Sequence, residues 1–469
     1  ANATATYYHT FTTGAAGAST PLLNDVVLRD IRYTQTTVTD GSSRGYGFIN
    51  MAGGVNRITA ENIYFEGIRE GIVIHQGSAD GTSGYNQNPM IADFGHFKNI
   101  HGKNMQRLIA PGSPTYTNGY LASENVIIDG FSLENTATQK LNYSGGAITG
   151  HSPIIGDMGY SGRIVNGYIQ KPIEHAMYVY GAKLQVYNLK LVDGEDIKVV
   201  GYSSTIPSSF EARNINHITL LAPHVDTNTI FTSSYVDGVK ISDVTFKGTN
   251  TAGVTYPIRA WAFLFISKYA KNISISNVTG QYLNSGIVNY ITDESWEAAF
   301  DNISIMNCHV LDPVTTTAGT YGVLVKYSTY YPDNAGAHAT WVAGDPLLTN
   351  IVIKDNYIAQ TAITAGSAET RTPLAKGRDG TSDLLGLALV QDIAGITFHN
   401  NSIDGWFGGS NGYRPIEVNA AATGNKGYCT NIYIDETFYT STRDMMPSTI
   451  IEKLPAMCQG SRYTVIGLS

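Results

Sequence analysis

Residues 174–202 read EHAMYVYGAKLQVYNLKLVDGEDIKVVGY, two copies of one short unit placed back to back. Met177 and Val179 in the first copy answer to Ile197 and Val199 in the second, and a glycine closes each strand, Gly181 and then Gly201. Alternate side chains of a strand face opposite ways. These four apolar residues therefore point into a core, while Ala176, Tyr178 and Tyr180 point out beside Asp196, Lys198 and Val200. If the copies stack as neighbouring coils, strands ~4.8 Å apart carry those outward groups side by side.

Outward from this pair the same organisation repeats. A turn residue followed by alternating β-formers recurs as NDVVLRDI from Asn24, NRITAENIYF from Asn56, ENVIIDGF from Glu124, GVKISDVTF from Gly238, KNISISNV from Lys271, DNISIMNC from Asp301, TNIVIKDN from Thr349, AGITFHNN from Ala394 and TNIYIDET from Thr430. A second, shorter strand follows many of them: EGIVIHQG from Glu70, NTIFTSS from Asn228, SGIVNY from Ser285, YGVLVKYS from Tyr321, LGLALVQD from Leu385 and RPIEVNA from Arg414. The intervals are too irregular for a propeller or a leucine-rich repeat. A parallel β-helix tolerates them, because each coil need only stack its strands and can loop out between them.

The expected fold is thus all-β, a single-stranded right-handed parallel β-helix of about a dozen coils with long loops, on the order of 60 Å at one strand spacing per coil. Residues 1–23 read as a lead-in or cap, 24–438 as the β-helix and 439–469 as a C-terminal cap or junction. Glu294–Phe300 and Ser448–Met457 are the best helical candidates, and Gly77–Asp93, His151–Gly162, Thr329–Leu347 and Thr361–Asp383 the longest departures from the coil pattern.

Composition agrees. Charged residues make up only 14% against 49 glycines and 30 tyrosines, whereas a typical soluble domain carries about 25% charged residues. A net charge of −8 with no basic tract argues against nucleic acid as a partner. No apolar run of about 18 residues is present to insert into a membrane. Cys308, Cys429 and Cys458 have neither a disulfide-framework nor a zinc spacing. The Asn-x-Ser/Thr matches at Asn272, Asn277 and Asn302 fall at coil corners, where asparagine serves the turn.

A long solenoid with Asn and Gly at its corners, few charges, many tyrosines and sizeable loops resembles the pectate-lyase-like β-helix class, and within it the receptor-binding tailspikes of tailed bacteriophages. The resemblance spans roughly Asn24 to Tyr439. It implies a virion-tail protein that depolymerises capsular or O-antigen polysaccharide at the bacterial surface and assembles as a homotrimer. The class often uses calcium held by clustered acids, but Asp193, Glu195 and Asp196 form no recognised calcium loop, so no metal or other cofactor is expected.

Glycoside hydrolysis needs two carboxyl groups at one bond. Asp196 is the first candidate, placed by register on the outer face beside Ala176, with Glu195 and Glu174 at the starts of the two strands. His175 aligns with Glu195. Tyr178, Tyr180 and Tyr202 offer flat faces for sugar C–H bonds, Lys198 and Arg213 suit an acidic sugar, and His151 occupies an outward loop position. The leading expectation is a glycoside hydrolase. The alternatives are a polysaccharide lyase with Lys198, His175 or a tyrosine as base, and a glycan-binding fibre that does not cleave.

Overall fold

A computed structural model describes residues 9–13, 23–35, 47–52, 54–75, 91–111, 123–136, 152–172, 175–194, 196–203, 205–218, 229–247, 262–281, 287–292, 300–311, 325–329, 348–359, 375–376, 393–404, 416–417, 429–435, 437–440, 451–452 and 464–467. The fold is a parallel β-helix, and no helix occurs among the described residues. The chain divides into two units, Ala1–Asp226 and Thr227–Ser469.

In the first unit short and long strands alternate along the chain. The short ones are β1 (His9–Thr13), β3 (Gly47–Ala52), β5 (Glu70–His75), β7 (Arg107–Pro111), β9 (Ile154–Asp157), β11 (Met177–Tyr180) and β13 (Ile197–Val200). The long ones are β2 (Val26–Thr34), β4 (Val55–Glu66), β6 (Ile91–Lys103), β8 (Ser123–Glu134), β10 (Gly162–Gln170), β12 (Lys183–Val192) and β14 (Ser208–Ile218). Each strand pairs in parallel with the next of its own kind, so short strands form one stack and long strands another. The opening pair is in the expected register: Met177 lies opposite Ile197 and Val179 opposite Val199, all four fully buried.

Every long strand is two flat pieces joined at a left-handed residue. In β12 the inward residues are Leu184 and Val186, then Leu189 and Leu191; Asn188, at φ 57°, shifts the alternation by one. Asp30, Asn62, Asn99, Asn166 and Asn214 stand at the same corner with φ between 53° and 59°. Asparagine tolerates this conformation, and its amide links coils: Asn99 donates to Asn62 at 3.1 Å, Asn188 to Asn166 at 3.0 Å and Asn214 to Asn188 at 2.8 Å.

The second unit repeats the device. Thr229–Lys247 and Ala262–Gln281 are long paired strands, followed by Phe300–Met306, Leu348–Lys354, Ile393–His399 and Cys429–Asp435 in parallel succession. Asn302 donates to Asn272 at 2.7 Å and Asn277 to Asp243 at 3.1 Å, so the three acceptor-like asparagines serve corners as expected. A second asparagine line lies inside: Asn356 donates to the Ile305 carbonyl and to Asn401 Oδ1, and accepts from the Cys308 N–H.

Some local expectations are corrected. Ile451–Glu452, inside the second helical candidate, is a strand paired with Ile416–Glu417, and Phe300 of the first begins a strand; residues 294–299 lie outside the described residues. His151–Gly162 is not wholly a departure, since it contains β9, and Gly77–Asp93 gives way to β6 at Ile91. In the expected lead-in, β1 pairs with β3; near the other end Thr437–Thr440 pairs with Thr464–Gly467.

Candidate active site

The short-strand stack carries apolar residues on both faces in its early coils. Ile72, Ile109 and Ile154 point inward, yet Val73, Ala110 and Ile155, which alternate with them, are buried too. These three form a cluster against which Tyr178 packs. The signal was present in GIVIH, RLIAP and PIIGD, whose apolar runs do not alternate, the pattern of a strand covered on both faces. Register continues this outer row from Ile155 to Tyr178 and then to Lys198.

Polar chemistry begins where that row reaches β11 and β13. Lys198 Nζ stands 4.1 Å from the centroid of the Tyr178 ring, a cation–π arrangement. The Tyr178 and Tyr180 hydroxyls are hydrogen-bonded at 2.9 Å, their rings 5.4 Å apart. Tyr202, just past the glycine that closes β13, stacks on Tyr180 with centroids 6.4 Å apart and planes within 29°. At the other end of the row the His175 ring meets the Tyr178 ring edge-on at 5.4 Å.

His175 Nδ1 is hydrogen-bonded to Asp196 Oδ1 across the two coils. Only 7% of His175 and 3% of Asp196 is exposed. The backbone brings them together: the Ala176 N–H donates to the Asp196 carbonyl at 2.9 Å, which sets the start of β11 beside the start of β13. An ionised carboxylate accepting from Nδ1–H fixes the imidazole tautomer and directs proton exchange to Nε2.

The sequence-predicted residues thus divide. His175, Tyr178, Tyr180, Asp196, Lys198 and Tyr202 are brought together. Asp196, expected on the outer face beside Ala176, is buried and hydrogen-bonded to His175 at the strand start. His175, aligned by register with Glu195, is hydrogen-bonded to Asp196. Arg213 is not part of the cluster: it lies on β14 in the long-strand stack, opposite Tyr187. There burial, and then a hydrogen bond to Glu211, push the Tyr187 hydroxyl up to about 12. Glu174, Glu195 and His151 lie outside the described residues.

Among the described residues no group of three or more His, Cys, Asp or Glu is arranged to hold a metal ion, and no helix is long and apolar enough to cross a membrane. No family model, curated protein or solved structure matches the chain.

Proposed function

We propose that the chain is a polysaccharide-cleaving enzyme whose reaction takes place at the His175–Asp196 pair, with the substrate lying over Tyr178, Tyr180 and Tyr202. One observation carries the reading: a buried, carboxylate-oriented imidazole opens onto a run of three contiguous aromatic rings. A base held by an orienting group is the arrangement acid–base catalysis requires, and flat rings with hydroxyl rims are what the alternating C–H and O–H faces of a sugar require.

In the hydrolytic form His175, oriented by Asp196, takes a proton from the attacking water, and a carboxylic acid protonates the leaving glycosidic oxygen. Glu174 and Glu195, chain neighbours of the pair, are the sequence candidates for that acid. The tailspike-like texture supports a bacterial capsular or O-antigen polysaccharide as substrate, placement on a virion tail and a homotrimer. Sedimentation equilibrium checks the last, with three times the chain mass expected.

A second reading is favoured by Lys198, which stands over the same Tyr178 ring that His175 meets edge-on. In a β-elimination His175 removes the proton next to a uronate carboxylate, the C–O bond to the neighbouring sugar breaks, and a carbon–carbon double bond forms while the leaving oxygen is protonated. Lys198 would neutralise the carboxylate. Following reducing ends and ultraviolet absorbance together on a panel of purified bacterial polysaccharides separates the two. Reducing ends alone mean hydrolysis; both signals mean elimination; binding without either overturns cleavage in favour of a glycan-binding fibre.

A further inference from the structure

A second surface of the Ala1–Asp226 unit has binding chemistry of its own, on the long-strand stack and away from the short strands that carry His175. Gly162 faces the core, since a Cβ there would meet Met158 Cβ at 2.4 Å and Leu184 Cδ2 at 2.6 Å. Its neighbours Ser161 and Arg163 are exposed. Register sets Asn125 opposite Phe94, Arg163 opposite Ile127, and Gln185 opposite Arg163. Four successive coils therefore contribute to one groove of about 350 Å³, lined among others by Asp93, Phe94, Asn125, Ser161, Arg163 and Gln185.

The charges within it are unevenly satisfied. Asp93 is neutralised by Arg57, which bridges Asp25 at 2.6 Å and Asp93 at 3.2 Å. Arg163 has no hydrogen-bond or ion-pair partner among the described residues, although its charge acts on the Tyr187 hydroxyl. The groove thus offers an uncommitted guanidinium fork beside two amides, a hydroxyl and an aromatic ring.

We propose that this groove is a carbohydrate-binding site for a sugar bearing a carboxylate, separate from the His175 face. A guanidinium matches a carboxylate through two parallel hydrogen bonds. Asn125, Gln185 and Ser161 each supply donor and acceptor to ring hydroxyls, and Phe94 supplies a face for sugar C–H bonds. The volume lies at the small end of ligand sites, which suits one or two sugar rings. Because neighbouring coils repeat every ~4.8 Å, the site is elongated across the strands, so an extended acidic glycan would lie along the stack. The proposal does not rest on cleavage at His175.

The test is binding of the full chain to an array of uronate- and sialate-bearing bacterial oligosaccharides, each printed beside its carboxyl-reduced counterpart. Wild type is expected to hold at least one acidic glycan at least tenfold more strongly than its reduced form. Arg163→Ala should remove that preference and Arg163→Lys should restore part of it, because charge remains but the fork is lost. His175→Ala should leave the preference intact, which separates this site from the cleavage site. Both arginine variants alter an exposed side chain, so their melting temperatures should match wild type. No acidic glycan held above its reduced form, or a preference unchanged in Arg163→Ala, would overturn the proposal, whether or not the protein cleaves polysaccharide.

Discussion

His175 and Asp196 are polar groups with almost no exposed surface, and burying such groups is costly unless they satisfy each other. Asp196→Asn keeps the shape of the side chain but presents an amide to Nδ1, which favours the other tautomer. In the proposed enzyme it should lower kcat by about 10²–10⁴-fold, the range for losing a base or its orienting carboxylate, with KM nearly unchanged. Tyr180→Ala should do the reverse, raising KM several-fold with a smaller change in kcat, since its ring touches substrate and not the reacting atoms. Steady-state kinetics on the cleaved polysaccharide read both. Cys308, fully buried, gives a prediction that does not depend on function. Burial pushes its thiol up to about 12, so a thiol reagent at pH 8 should leave it unmodified in the native protein and label it after denaturation, as peptide mass spectrometry would show. An unfolded thiol ionises near pH 8.5. The folded state therefore keeps a proton that the unfolded state loses, and this contribution to stability is intact below about pH 8.5 and declines as pH rises towards 12.

At the scale of the element, the corner asparagines explain how an irregular sequence makes regular coils. Asn188→Ala would place a Cβ-bearing residue without local hydrogen bonding at φ 57° and remove the links to Asn166 and Asn214. It should cost about 2–3 kcal/mol, from the left-handed backbone and the lost bonds together. Asn188→Gly loses the same bonds but relieves the backbone, and should cost roughly half as much; denaturant titration distinguishes them. These corners were legible, because a one-residue slip in alternation at an asparagine, as in ITAENIYF, marks a bent strand. Less legible was a strand such as β10, GRIVNGYIQ, in which Gly167 takes a core position. A Cβ there would meet the Phe131 ring at 2.2 Å, so the large residue that fills the space belongs to the neighbouring coil. Packing between coils, which no window of sequence contains, decides such positions. The site divided the same way. Register alone placed Tyr178 beside Lys198, whereas His175 and Asp196 stand just before β11 and β13, where buried residues follow one another and alternation no longer holds.

At the scale of the whole molecule, coils that touch only their neighbours make stability a sum of local terms, and they let one scaffold present chemically different faces. In the Ala1–Asp226 unit, the short-strand stack changes from an apolar outer row at Val73, Ala110 and Ile155 to the aromatic and basic groups of β11 and β13, with His175 and Asp196 just before them. The long-strand stack carries the groove at Arg163. If the first face cleaves and the second holds an acidic glycan, Arg163→Ala should weaken action on long chains and spare short oligosaccharides. The ratio of kcat/KM on polymer to that on oligomer measures this. The most direct measurement is the release of new chain ends from purified bacterial capsular and O-antigen polysaccharides by wild type, His175→Ala and Asp196→Asn in parallel. New ends from at least one polysaccharide with wild type, falling by about 10²-fold or more in both variants, is the predicted result. Cleavage undiminished in the variants, or a polysaccharide bound by wild type and left intact, would contradict it.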